Sequence, residues 1–265
     1  MRFIRGFYMA LGMFVGIPLP FHIWDEKLTS IMIVSFPLVG VVIGAIWWGA
    51  GLLLLMPNFP IVIVAALLTV APFFIAGFIH LDGYMDTSDA LLSRRPLEDK
   101  LRILKDPNVG AFAVVMLGIL FLLQFASMYA VVDGGRFLAL LIVICVLSRC
   151  CSALAIFVVR HMPNSDYTAL LGKGITAVHK TIVIIIAIGA VGFSYLYAGV
   201  YGLIVIAAVV LGYIWSMRVV YRDFKGISGD LLGYSLVISE LFGLIALALV
   251  QGAGRSLYEL LAHAT

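Results

Sequence analysis

Residues Ile61 to Ile79 read IVIVAALLTVAPFFIAGFI, and the next ten are His80-Leu81-Asp82-Gly83-Tyr84-Met85-Asp86-Thr87-Ser88-Asp89. An uncharged apolar run of about 20 residues is long enough to cross the hydrocarbon core of a bilayer. Directly after it come three carboxylates. At the spacing i, i+4, i+7 a helix gathers Asp82, Asp86 and Asp89 into an arc of roughly 60°. Like charges crowded on one face repel, so the arrangement asks for a cation. Hard oxygen donors suit Mg²⁺ or Mn²⁺ better than soft metals.

Working outward, the same apolar character recurs along the chain. Of 265 residues, 63% are hydrophobic and 12% charged, where a soluble domain carries about 25% charged residues. Mean hydropathy is +1.15. Apolar windows fall at roughly 31–56, 61–79, 110–132, 137–159, 181–199, 201–217 and 231–250. The expected fold is all-α: a polytopic membrane bundle of about seven transmembrane helices, forming a single integral membrane domain over residues 1–265. In the first window Pro37, Gly40 and Gly44 are candidate points of bending. Gly199-Val200-Tyr201 makes a tight hairpin between two spans. Arg2, Arg5 and the apolar stretch to Pro20 resemble a signal peptide but lack a small-x-small cleavage site. We read them as a retained, partly buried or interfacial segment. Small residues such as Gly189, Gly192, Gly199 and Gly202 permit close helix packing within a chain or in a homo-oligomer.

Loop charge sets the expected orientation. With the N-terminus inside, segments 1–30, 80–109, 160–180 and 218–230 face the cytoplasm and hold fourteen of the seventeen basic residues. The positive-inside rule therefore favours a cytoplasmic N-terminus, in the cell (inner) membrane, with the aspartates facing cytoplasmic nucleotide and Mg²⁺. No basic stretch with interleaved aromatics points to nucleic acid. Cys145, Cys150 and Cys151 have no metal-ligand or disulfide spacing and read as small buried residues.

Carboxylates on hard cations hold phosphate oxygens and neutralise charge on a transferred phosphoryl group. A carboxylate off the metal can take a proton from an attacking hydroxyl. The residues thus point to a phosphotransferase at the cytoplasmic membrane face. The competing reading is a transporter that uses intramembrane carboxylates. Pro96 to Asp106 reads as a short surface helix with an apolar stripe of Leu97, Leu101 and Leu104, returning Lys105 and Asp106 toward the aspartates. Arg149 and Glu240 lie at equal depth, about 15 Å inside their helices. They either pair with each other or meet a phosphate and a metal or hydroxyl. In Lys225-Gly226-Ile227-Ser228-Gly229-Asp230-Leu231-Leu232-Gly233 the glycines let backbone approach a ligand. Asp230 either caps the last span or joins the acidic site. His161 and His179 read as ordinary loop residues, and His80 points away from the aspartate face.

His80-Leu81-Asp82-Gly83-x-x-Asp86-Thr87-x-Asp89 resembles the signature of the cobalamin synthase family, the adenosylcobinamide-GDP ribazoletransferases. Phe36-Pro37-Leu38-Val39-Gly40, Lys105-Asp106 followed by Gly110, Ser148-Arg149, and Gly229-Asp230-x-Leu232-Gly233 with Glu240 are similar to further family motifs, in order. The resemblance covers about residues 12–245. It implies a transferase joining adenosylcobinamide-GDP to α-ribazole or its 5′-phosphate, with Mg²⁺, releasing GMP. It implies Asp82, Asp86 and Asp89 as catalytic metal and diphosphate ligands, with Glu240 as a further metal ligand. It implies Lys105, Asp106, Arg149, Gly229 and Asp230 at the substrate. The chain departs from the family pattern at Gly16 (arginine), Ala90 (glycine) and Val237 (glutamate). The first and last of these departures touch the expected phosphate and metal contacts. A corrinoid substrate further implies a wide cavity lined by the three loops 80–109, 160–180 and 218–230.

Overall fold

The computed structural model describes residues 1–21, 23–56, 59–162 and 174–262, with side chains as far as residue 252. The helices in order are α1 (Arg2–Phe14), α2 (Thr29–Val34), α3 (Phe36–Leu55), α4 (Ile61–Ile75), α5 (Ile79–Leu92), α6 (Leu97–Ile103), α7 (Ala111–Gly134), α8 (Leu140–Val158), α9 (Ala177–Ala198), α10 (Val200–Phe224) and α11 (Gly229–Ala262). A single 3-10 turn, Glu26–Leu28, precedes α2. Among the described residues the only extended pairing is an isolated bridge between His161 and Ile227.

Six helices, α3, α7, α8, α9, α10 and the first part of α11, are long and apolar enough to cross a bilayer. The bent pair α4 and α5 makes a seventh candidate. The chain is a polytopic membrane helical bundle. In α8 and α11, 72% of the spanning window is buried inside the protein, against 17–39% in the other spans. These two are the central helices. The outer ones turn side chains such as Ile185, Ile188 and Leu196 of α9 away from the protein, as lipid-facing surfaces do.

Two expected spans are interrupted. The first window is two helices, not one bent one: α2 ends at Val34, and Pro37 sits in the first turn of α3, where its missing N–H costs nothing. Gly40 and Gly44 are not bends. A Cβ at Gly44 would stand 2.6 Å from the Ile142 Cα, and one at Gly40 would meet the Cys145 carbonyl. The two glycines let α3 and α8 touch backbone to backbone.

The second window stops at Ile75. Gly77 (φ +67°) and Phe78 (φ +63°) leave the helical region in succession, and α5 sets off at 94° to α4. A left-handed phenylalanine is unfavourable, and the N-terminal segment holds it in place. Gly16 N–H donates to the Ile75 carbonyl at 2.7 Å, and Phe78 N–H donates to Phe73 at 2.9 Å. A Cβ at Gly16 would stand 2.8 Å from the Gly77 Cα. Gly16 therefore fits against the bend, where a larger side chain has no room. The turn lays α5 across the end of α4.

Each remaining segment near the site is pinned. Lys100 of α6 forms a 2.6 Å ion pair with Asp223 at the end of α10. Pro96 stands just before the first turn of α6, its carbonyl accepting from the Lys100 N–H at 3.1 Å. Arg160 to Met162 and Ile227 exchange two backbone hydrogen bonds, of 3.0 and 3.1 Å. They tie the end of α8 to the start of α11. His179 accepts from the Thr176 N–H in a capping box that opens α9. The three cysteines are free thiols, Cys145 and Cys150 fully packed.

Gly44→Leu should cost about 2–3 kcal/mol by overpacking, read as a lowered melting temperature in detergent. Gly49→Leu, on the same helix where nothing lies within 4 Å of the added Cβ, should be close to neutral. Equal effects would contradict the α3–α8 contact.

Candidate active site

α5 is two-faced. Leu81, Tyr84, Thr87, Ser88 and Ala90 are buried, whereas Asp82 is exposed and Asp86 and Asp89 are half-buried. Tyr84 anchors the buried face. Its ring stacks on Tyr234 of α11 at 5.5 Å and its hydroxyl donates to the Met116 carbonyl of α7 at 3.1 Å. The three aspartates thus share the open face, as their spacing requires.

A fourth carboxylate joins them from a distant part of the chain. A Cβ on Gly83 would stand 2.8 Å from both the Cα and the carbonyl oxygen of Asp230. Glycine alone lets α5 lie directly on the first turn of α11. Gly233, one turn on, faces the His80 backbone, 3.3 Å from its carbonyl oxygen to the Cβ position. The crossing carries Asp230 into the aspartate group. There Asp82, Asp230 and Asp89 are all close enough to repel the charge of Asp86. Asp230 does not cap α11. Ser228 does, its Oγ accepting from the Leu231 N–H at 3.4 Å. At Asp89 the neighbour is Gly110, the residue before α7, where any Cβ would fall on the Asp89 carboxylate.

The glycines of the 225–233 run mostly serve the chain itself. Gly226 packs on Met162 and Gly233 on His80, while Gly229 has nothing within 4 Å and stays open. Lys105 and Asp106 are exposed on the turn that leads to Gly110, and it is Gly110 that lies against the Asp89 carboxylate. Asp106 accepts from the Asn108 backbone and side-chain amides at 3.0 and 2.8 Å, which holds its carboxyl below the usual range.

Arg149 and Glu240 form a separate, deeper layer. Their atoms meet at 2.6 Å with side chains 2% and 15% exposed. Ser148 Oγ donates to the same Glu240 oxygen at 2.9 Å, and Arg149 also donates to the Cys145 carbonyl at 2.9 Å. The guanidinium lies 5.6 Å from the centre of the Phe36 ring. Val237, packed one turn before Glu240, is apolar and buried. Of the two roles open from sequence, the geometry places these residues with each other. His80 stands between the layers, buried and on the side away from the aspartates. Its burial, and the part played by Gly83 in bringing Asp230 in, are the features sequence reasoning missed. The glycine inside the aspartate motif was the available signal.

The donor set suits a hard divalent cation, since it is all carboxylate oxygen and mutually repelling. Among the described residues no three His, Cys, Asp or Glu side chains converge into a ready metal cage. A Mg²⁺ ion held here would need water and substrate phosphates to complete its octahedron. The described ends of two of the three loops, at 158–160 and 217–222, line an open cavity of about 570 Å³, and 163–173 of the middle loop lie outside the described residues. The cavity beside Asp230 has about 200 Å³ and is walled by helices.

A family model described as cobalamin-5-phosphate synthase matches residues 6–248. The adenosylcobinamide-GDP ribazoletransferase of Clostridium perfringens (strain ATCC 13124) is 36% identical over 248 residues, covering 94% of this chain and 99% of its own. The protein of the same name from Lachnoclostridium phytofermentans is 32% identical over 260 residues, covering 95% and 96%. That of Halalkalibacterium halodurans is 32% identical over 246 residues, covering 90% and 93%. No solved structure matches the chain.

Breaking a buried ion pair from one side costs about 3–5 kcal/mol, whereas an apolar replacement of both partners is close to neutral. Arg149→Met should therefore unfold the protein at markedly lower temperature, and Arg149→Met with Glu240→Met should recover most of the loss. A double variant as unstable as the sum of the singles would contradict the pairing.

Proposed function

Because the chain belongs to the cobalamin-5-phosphate synthase family, we propose that it is the transferase joining adenosylcobinamide-GDP to α-ribazole or α-ribazole 5′-phosphate. The products are adenosylcobalamin, or its 5′-phosphate, and GMP. The observation that carries this reading is the meeting of Asp230 with Asp82, Asp86 and Asp89 at the Gly83 crossing.

The reaction needs little more than positioning and electrostatics. A ribose hydroxyl of the acceptor attacks the cobinamide-side phosphorus of the diphosphate. The new P–O bond forms as the bond to the bridging oxygen breaks, and GMP departs with that oxygen and its electron pair. The hydroxyl proton passes to a carboxylate of the group. Asp82, Asp86, Asp89 and Asp230 are the residues that would hold Mg²⁺, which when bound neutralises charge on the diphosphate. Lys105 and Asp106, on the exposed turn before Gly110, are the residues that would meet a phosphate or its counter-ion. Arg149 and Glu240 act from beneath, as the rigid base on which α8, α11 and His80 are set.

The transporter reading is not favoured. It needs a polar path through the bilayer, yet Arg149 and Glu240 neutralise each other within an apolar, closely packed pair of central helices. We place the N-terminus and the aspartate face on the cytoplasmic side of the cell (inner) membrane, following the basic loops.

Asp82→Asn should reduce GMP release by about 10²-fold or more, and removing Mg²⁺ with a chelator should abolish it. Near-normal turnover in either case refutes the metal role. In intact cells Arg136→Cys should react with an impermeant maleimide and Asn108→Cys should not. The reverse pattern would invert the topology.

A further inference from the structure

The cavity behind the aspartate face is built from six helices, α2 contributing Ile33. Phe14 of α1, Phe36 of α3, Ile79 of α5, Ile156 of α8 and Leu236 of α11 make an aromatic and aliphatic wall, and Gly229 and Asp230 complete it on the side of the carboxylates. One polar ring is set into this wall. His80 lies 6.0 Å from Phe14, stacked at 19°, and 5.8 Å from Phe36, edge-on. It is only 9% exposed, and its Nε2 has no hydrogen-bond partner among the described residues. Ser152, 2% exposed, also lines the cavity. Its hydroxyl and that of Tyr213 interact without closing a hydrogen bond. A buried donor left unpaired costs about 1–3 kcal/mol. A family-motif histidine that carries this cost in the wall of an apolar cavity points to a ligand that removes it.

We propose that this cavity is the base subsite of the acceptor. It takes the flat bicyclic aromatic base of the acceptor nucleoside, and His80 Nε2 donates a hydrogen bond to the unsubstituted ring nitrogen of that base. The inference rests on the transferase reading above. Size agrees, since an apolar cavity of about 150 Å³ accepts benzene and this one has about 200 Å³. A fused two-ring base fits there and a corrin does not. Polarity agrees as well. The base of α-ribazole is a dimethylated benzimidazole, apolar apart from one free ring nitrogen, and the wall offers one unpaired imidazole nitrogen against it. Guanine, the base of the donor, carries several donors and acceptors around its edge. His80, Ser152 and Asp230 could meet some of these, and the rest would stay unpaired against Phe14, Phe36, Ile156 and Leu236, each at about 1–3 kcal/mol. A benzimidazole seated here has its ribose beside Asp230, where the reaction needs the attacking hydroxyl.

His80→Phe keeps an aromatic ring between Phe14 and Phe36 and removes the nitrogen. Steady-state kinetics of the purified full-length protein should give a KM for α-ribazole raised about tenfold, the loss of one hydrogen bond. The KM for adenosylcobinamide-GDP and kcat at saturating acceptor should stay within about twofold. His80→Gln, which returns a donor, should recover part of the affinity. Ser152→Leu, which narrows the cavity from α8, provides the second arm should His80→Phe fail to fold. It should weaken equilibrium binding of α-ribazole, measured without donor or Mg²⁺, and leave GMP binding unchanged. An unchanged α-ribazole KM or affinity in folded variants overturns the proposal. So does an effect confined to the donor, which would assign the cavity to guanine. Wild-type protein that binds α-ribazole but releases no GMP would instead refute the transferase reading and leave the subsite standing.

Discussion

The site depends on one steric fact: Gly83 has no side chain. Because of it, the backbone of α5 rests on the first turn of α11, and Asp230 enters a face that already holds Asp82, Asp86 and Asp89. Packed apolar side chains cannot offset carboxylates that repel one another. What holds α5 in place is its other face, through the Tyr84–Tyr234 stack and the Tyr84 hydroxyl on α7. On the proposed function a cation and its substrate would relieve that repulsion, and the binding energy released would be available to order the diphosphate for attack.

A second layer keeps the first from drifting. Arg149, Glu240 and Ser148 form a buried network that joins α8 to α11, the two central helices. Such a network adds little net stability over an apolar core, and removing one partner is costly. Its value lies in fixing the register of α11 against α8, and hence the height at which Asp230 emerges. The outer devices do the same for α5. Gly16 on Gly77 fixes the bend, and the backbone bridge between 160–162 and 227 fixes the loop before α11. Each is a short backbone contact and not a long flexible side chain.

Much of this was legible in the sequence. The spans were, because a bilayer imposes a length that apolar windows report directly. The shared face of Asp82, Asp86 and Asp89 was, because helical spacing is local. The breaks at Ser35 and at Gly77-Phe78 were not, because the second is made by a contact with Gly16, far away in the chain, that no window contains. The glycines misled in one direction. By sequence Gly40, Gly44 and Gly226 suggest a bend or a ligand contact, yet all three are places where two backbones touch. Asp230 could not be told from a helix cap without seeing Ser228 do that work. Where a polar residue's partner comes from another helix, composition and spacing report only that a partner is needed. His80 is the sharpest instance.

The central claim is that α5 and α11 together make one cation site. Titrating Mn²⁺ into the detergent-solubilised protein, with the free Mn²⁺ followed by electron paramagnetic resonance in the presence of a nucleoside diphosphate, tests it most directly. Wild-type protein should take up Mn²⁺ at the aspartate group, Asp230→Asn should weaken the uptake, and Gly83→Val should lose it while the other spans stay folded. Uptake by folded Gly83→Val equal to that of the wild type would contradict the account.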